Sequence, residues 1–323
     1  MANYIIRRIL QAIIVLFVLS FVCYALLSLM PGDPIDIMIS SNPNIKPEDV
    51  ERLRTLYGLD KPIYERYANW IETIFAGDLG YSRTYRIPVA DIIGSRLLNT
   101  FVLSTLAFLL ATIIGIGIGI LAGLRPGSKF DYSVNFFSFA GISIPSFFLA
   151  IILIIIFSVK VPLFPAGGTA TIGMVYESWW DEMLDRAKYL VLPVISLATL
   201  QLASYARYAR SSMMETMRHD FIRTARAKGM DRRTVVMTHG FRNALIPIIT
   251  VVALSASSLF SGALITETIF AYQGIGKMVF DAIMQNDYNV AMISFMISVA
   301  MVLFMNLLAD ILYAVVDPRI SYN

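Results

Sequence analysis

The sequence predicts an all-α integral membrane protein with six transmembrane helices, and three observations predict it. Of its 323 residues, 57% are hydrophobic and only 15% charged, with a mean hydropathy of +0.67. A soluble domain carries about 45–50% apolar and about 25% charged residues, and a disordered chain is poorer still in apolar residues. Six stretches lack Asp, Glu, Lys and Arg altogether, and each approaches or exceeds the roughly 20 residues that one helical crossing needs. None alternates apolar and polar residues over about 10 positions, as the strands of a membrane barrel would.

The charge-free runs are 9–32, 97–124, 132–159, 189–206, 243–266 and 288–309, the fourth being the shortest at 18 residues. They are the natural spans because a charge at mid-bilayer costs about 2.5–3.5 kcal/mol on insertion scales. Arg7 and Arg8 precede the first run, as in a secretion signal. The run is longer than a signal's 7–15-residue apolar core and no A-x-A site follows, so it reads as an uncleaved anchor. The chain divides into a tip and first span (1–30), an outer helical loop (31–96) and a five-helix core (97–323) with a basic loop at 207–242. A single cysteine, Cys23, excludes an internal disulfide.

With the N-terminus inside, the inner segments carry a net charge of +8 and the outer ones −5. The positive-inside rule therefore puts both termini in the cytoplasm. In the outer loop, Pro31-Gly32-Asp33-Pro34 breaks the first span, and 47–57 reads as a helix stopped by Gly58. Asp60 then caps a second helix with Pro62 in its first turn. That helix carries Tyr67, Trp70, Ile71 and Ile74 on one face and ends at Gly77. Its apolar face is expected to pack on the bundle or on lipid.

The inner loop 207–242 holds nine Lys+Arg against three acids. Met213, Met214, Met217, Phe221, Ile222 and Ala225 recur at helical spacing, which predicts an amphipathic helix stopped by Gly229. Asp231 caps a second short helix reaching about His239. Charge and periodicity leave two uses open: holding anionic headgroups, or docking a protein, with Ala225 and Gly229 permitting close approach.

The spans themselves argue against other classes. None carries an ionisable residue, which disfavours an ion-driven carrier. Gly276-Lys277 is not a phosphate-binding loop, because 271 is Ala and 278 is Met. Both histidines, His219 and His239, lie in the inner loop, so an intramembrane enzyme has no nucleophile–base pair or metal set. No metal site, bound cofactor or nucleic-acid partner is expected. Ala107, Ala111, Gly115, Gly119 and Gly123 form a small-residue stripe for close helix packing. Ser257, Ser258 and Ser261 are candidates for lining a polar path, and Pro145 and Pro193 are expected to interrupt their helices.

The segment 220–229, Asp-Phe-Ile-Arg-Thr-Ala-Arg-Ala-Lys-Gly, with His239-Gly-Phe-Arg-Asn-Ala-Leu-Ile-Pro247, resembles the "EAA" loop of ABC importer permeases. Within them it is similar to the dipeptide/oligopeptide/nickel branch, and to the first-encoded permease of its usual pair. The likeness extends to Pro31-Gly-Asp-Pro34, Tyr57-Gly-Leu-Asp-Lys-Pro62, Gly77-Asp-Leu-Gly80, Glu267-Thr-Ile-Phe270, Gly274-Ile-Gly276 and Asp317-Pro-Arg319. Arg223 and Thr224 replace the Glu and first Ala of the general pattern, Pro247 lies further along, and Gln273 stands where the branch often has Pro. The resemblance implies a type I ABC importer-like permease fold in a bacterial inner membrane. It implies a second homologous permease, two P-loop ATPases holding ATP and Mg, and an extracytoplasmic solute-binding protein, beside membrane lipid. The chain itself would bind no cofactor. Asp220, Arg223, Thr224, Ala225, Ala227, Lys228, Gly229, His239, Asn243 and Pro247 would couple it to an ATPase. Peptides are the expected cargo, with nickel chelates, glutathione-like conjugates, opines or sugars as alternatives carried by similar permeases.

Overall fold

The computed structural model describes residues 2–29, 51–52, 55 and 60–316, and for 2–3, 256–262 and 312–316 the backbone alone. Of the helix expected over 47–57, only residues 51–52 and 55 are described; all three are helical, and the Thr55 hydroxyl donates to the Glu51 carbonyl at 3.1 Å. Those described form helices without a strand: α1 (Ala2–Ser28), α2 (Ile63–Phe75), α3 (Val89–Gly123), α4 (Lys129–Ser143) and α5 (Ser146–Ile154) come first. Then follow α6 (Trp179–Thr216), α7 (Asp220–Ala227), α8 (Arg232–Thr234), α9 (Arg242–Ile269), α10 (Ile275–Met284) and α11 (Tyr288–Val316). Two π-wound segments, Ile155–Lys160 and Val235–Phe241, extend α5 and join α8 to α9.

Among the described residues, five helices are long and apolar enough to cross a membrane, and the pair α4–α5 makes a sixth span if its two halves are one crossing. That pair bends by 104°. Pro145 causes the break: it pushes Ile144 into an extended conformation (φ −83°, ψ 122°) and itself starts the next helix. Pro193 behaves otherwise. It lies buried inside the unbroken 38-residue α6, so the interruption expected there does not occur. Leu192, Pro193 and Leu197 sit in the core, where packing outweighs the lost helix bond. At 1.5 Å per residue α6 is about 57 Å long, so the short fourth span is the membrane portion of a much longer rod.

The most extensive pairing is α3 against α6. Ala107, Ala111, Gly115, Gly119 and Gly123 are all buried on one face of α3. A Cβ on Gly115 would lie 2.8 Å from the Leu202 carbonyl, and one on Gly123 2.7 Å from that of Arg210. The helices therefore touch backbone to backbone. At the end nearer the basic loop, Arg210 on α6 grips Asp131 on α4 with two of its guanidinium nitrogens, Nε to Oδ1 and Nη2 to Oδ2, the latter at 2.8 Å. Asp131 also accepts the Gly127 N–H at 2.9 Å, so one buried carboxylate ties three segments together.

The outer helix α2 lies on α1. Tyr67 is buried among Phe17, Phe21 and Tyr24, and its hydroxyl meets Ser20 Oγ at 2.5 Å. The apolar face thus packs on the bundle. Asp60 is not its cap: the helix opens at Pro62 with no side-chain cap.

At the end of α9, Glu267 is fully buried and seats α10 against the bundle. It accepts the Thr100 hydroxyl at 2.5 Å and the Lys277 N–H at 3.0 Å, while Thr100 accepts the Ile275 N–H at 2.8 Å. Replacing Glu267 with Ala leaves these donors unsatisfied, which costs about 1–3 kcal/mol. The expected result is a lowered unfolding midpoint of the detergent-purified chain, with Glu267→Gln between it and wild type; equal midpoints would show that the carboxylate does not hold α10.

Candidate functional site

The basic loop is a helix–turn–helix element packed on the ends of α6 and α9. Thr216 ends α6, three residues turn the chain, and α7 starts at Asp220 after an extended His219. Residues 213–225 are therefore not one amphipathic helix. The break resets the helical phase, and Phe221 changes sides: it is 41% exposed and stacks on His219, with centroids 5.4 Å apart. Ile222 and Ala225 face inward, buried against Met217, Met230 and Val235.

Gly229 closes α7 with φ +77°, its N–H donating to the Arg226 carbonyl at 3.0 Å. Nothing lies within 4 Å of where its Cβ would be, so the position needs glycine for its backbone conformation. Asp231 then accepts the Thr234 N–H at 3.0 Å and caps α8. These hydrogen bonds hold its carboxyl below the usual carboxylate range. From there the chain runs through the π-wound 235–241 into α9 without the stop expected near His239. A wide turn of this kind is frequent at functional sites. Gly240 within it fits under Met217 and Met213, where a Cβ would meet Sδ at 2.9 Å and Cε at 3.0 Å. Ser212 on α6 donates to the Ala244 carbonyl at 2.8 Å, completing the attachment.

The candidate residues divide by orientation. Asp220, Arg223, Thr224, Ala227 and Lys228 are exposed on the outward face of α7, with Arg223 3.3 Å from Asp220. Thr224 spends its hydroxyl on the Asp220 carbonyl at 3.0 Å. Ala225 is 5% exposed and anchors the element from below. His239 is half-buried; its carbonyl accepts Asn243 Nδ2 at 2.7 Å, and Asn243 and Pro247 are exposed along the first turns of α9. Sequence periodicity placed Met217, Ile222 and Ala225 on the apolar face correctly but missed Phe221 as an outward residue and Val235 as an anchor, because it could not place the three-residue break. Ser257, Ser258 and Ser261 lie in α9, and their side chains are outside the described residues.

Fold and site together define a polytopic membrane protein with an exposed cationic loop between α6 and α9. The chain belongs to the family of binding-protein-dependent transport system inner membrane components, whose sequence model matches residues 115–322. The model of the N-terminal part of such components matches 1–107. It is 41% identical over 323 residues to the oligopeptide transport system permease protein AppB of Bacillus subtilis, each chain covered in full. It is 36% identical over 340 residues to the dipeptide transport system permease protein DppB of Escherichia coli K12, again with full coverage of both. Among solved structures, the inward-facing MetNI methionine ABC transporter shares the fold, with a TM-score of 0.54 at 17% identity over 70% of this chain and 96% of that one.

Proposed function

We propose that the chain is a permease subunit of an ATP-driven importer of di- and oligopeptides. The observation that carries the cargo is the full-length similarity to relatives named for oligopeptide and dipeptide transport, which extends through the outer loop as well as the core. The charge asymmetry of the loops supports a cytoplasmic placement of the basic side. There the exposed face of α7 enters a groove on a cytosolic ATPase, which binds ATP and Mg. A second permease completes the path, and a solute-binding protein delivers cargo from the other side. The chain itself performs no bond chemistry.

Geometry supports this division of labour. An energy-transmitting element must move as a body, and α7 is clamped through Ile222 and Ala225 to Val235 and Met217, hence to α9 and α6. A push on Phe221, Arg223 and Lys228 is thereby delivered to two helices of the bundle. The test is uptake of a labelled dipeptide and a labelled pentapeptide by cells lacking this gene, with and without the wild-type copy. Restored uptake that needs ATP and the accompanying ATPases is the expected result. Restored uptake of a labelled nickel chelate or sugar without peptide uptake would replace the cargo and leave the machinery. Transport by the purified chain alone without ATP would remove both.

A further inference from the structure

A cavity of about 560 Å³ opens where the basic loop meets the ends of α3 and α6. Its floor is apolar, made by Leu124, Met214, Met217, Met230 and Val236. Its charged lining is Arg218, Arg226 and Arg232, and no Asp or Glu lines it. All three arginines are exposed, and none has a side-chain hydrogen bond or ion pair to a described residue. Of the neighbouring acids, Asp220 pairs with Arg223 and Asp231 caps α8, while Glu215 lines an adjoining hollow that shares Met214 and Arg218 with this cavity.

We propose that this cavity is a binding site for one anionic phospholipid, its phosphodiester held by Arg218, Arg226 and Arg232 and the start of its acyl chains lying on the methionine floor. Three features favour lipid over a protein acid. Gly123, at the end of α3, borders the cavity, placing it where a span leaves the hydrocarbon and headgroup phosphates lie. A floor of three methionines suits flexible chains. Arg226 is on the flank of α7 between the buried Ile222 and the exposed Arg223, at the edge of the outward face and well round from Asp220, Thr224 and Lys228, which stay open to a protein partner. Basic pockets among helix ends on the cytoplasmic side are known to take anionic headgroups. The lipid would stiffen the loop by bridging α6 (next to Arg218), α7 and α8, and this holds whatever the cargo is.

The test is native mass spectrometry of the full chain with its accompanying subunits, delipidated and titrated with phosphatidylglycerol or phosphatidylcholine. One tightly held phosphatidylglycerol per chain is expected, with phosphatidylcholine much weaker. The triple change Arg218→Gln, Arg226→Gln and Arg232→Gln should lower phosphatidylglycerol affinity by about 10- to 100-fold, since each cation near an anionic surface contributes about fivefold. The corresponding triple Lys variant should retain most of it. Because all three side chains are exposed, the fold is spared, and retained subunit association verifies that. Equal phosphatidylglycerol binding by the Gln variant, equal affinity for phosphatidylcholine, or full displacement by inorganic phosphate would each overturn the proposal. So would loss of the ATPases with lipid binding unchanged, which would assign the arginines to an acidic protein surface.

Discussion

Gly229→Pro is expected to abolish peptide uptake while the chain still inserts and assembles in the membrane. The reason is local and severe. Gly229 holds φ +77° and gives its N–H to the Arg226 carbonyl, whereas proline fixes φ near −65° and has no N–H. A misfit of this kind costs about 3 kcal/mol or more, which lowers the population of correctly seated loop by about 100-fold. Loss of that seating disconnects α7 from α8 and α9, so ATP hydrolysis by the partner subunits should persist but no longer respond to loaded binding protein. Gly229→Asn provides the control: asparagine tolerates the left-handed region, nothing crowds its Cβ, and uptake should stay near wild type. Uptake assays in membrane vesicles with parallel ATPase measurements decide the matter. Wild-type uptake by the proline variant would mean that the loop transmits nothing, and equal loss in the asparagine variant would mean that space, not backbone conformation, is what Gly229 provides.

What the sequence displayed well were the patterns that repeat over the length of a whole span. The charge-free runs locate the spans because burial in lipid penalises each charge separately, and errors average out over about 20 positions. The four-residue spacing of Ala107, Ala111, Gly115, Gly119 and Gly123 is visible for the same reason. Features set by a single residue were harder. Pro145 and Pro193 look alike in sequence, yet one breaks a helix by 104° and the other lies inside α6. The difference is made by long-range packing around Leu192 and Leu197, which no local pattern records. Phe221 illustrates a second cause. Periodicity assigns it to the buried face only if 213–225 is continuous, and a three-residue turn before Asp220 rotates it outward. Glu267 illustrates a third: it stands just past the charge-free run, and only the fold brings Thr100, from a segment 167 residues away, to its carboxylate.

The stripe on α3 yields a prediction in which two neighbouring glycines should respond with opposite signs. A Cβ on Gly119 would run into the Ala206 carbonyl, 2.9 Å from Ala206 Cα and 2.8 Å from Ala209 Cβ. These are backbone and buried side-chain atoms of α6, which is itself held by Asp131 through Arg210. Neither helix can move away without disturbing the rest. Overpacking of this kind costs about 1–3 kcal/mol, so Gly119→Ala should lower the unfolding midpoint measurably. Gly119→Leu should separate α3 from α6 and leave little assembled protein. Gly117, two residues earlier, has no atom within 4 Å of its Cβ position. There alanine meets no clash and removes a weak helix former, a change worth up to about 1 kcal/mol in favour of the fold. Midpoints of the two alanine variants, measured in the same detergent, test the geometry directly. Lowering at 119 with no lowering at 117 is expected. A drop at both would show that flexibility of α3, rather than contact with α6, is what the glycines supply, and no drop at either would show that the two helices do not approach as closely as their backbones indicate.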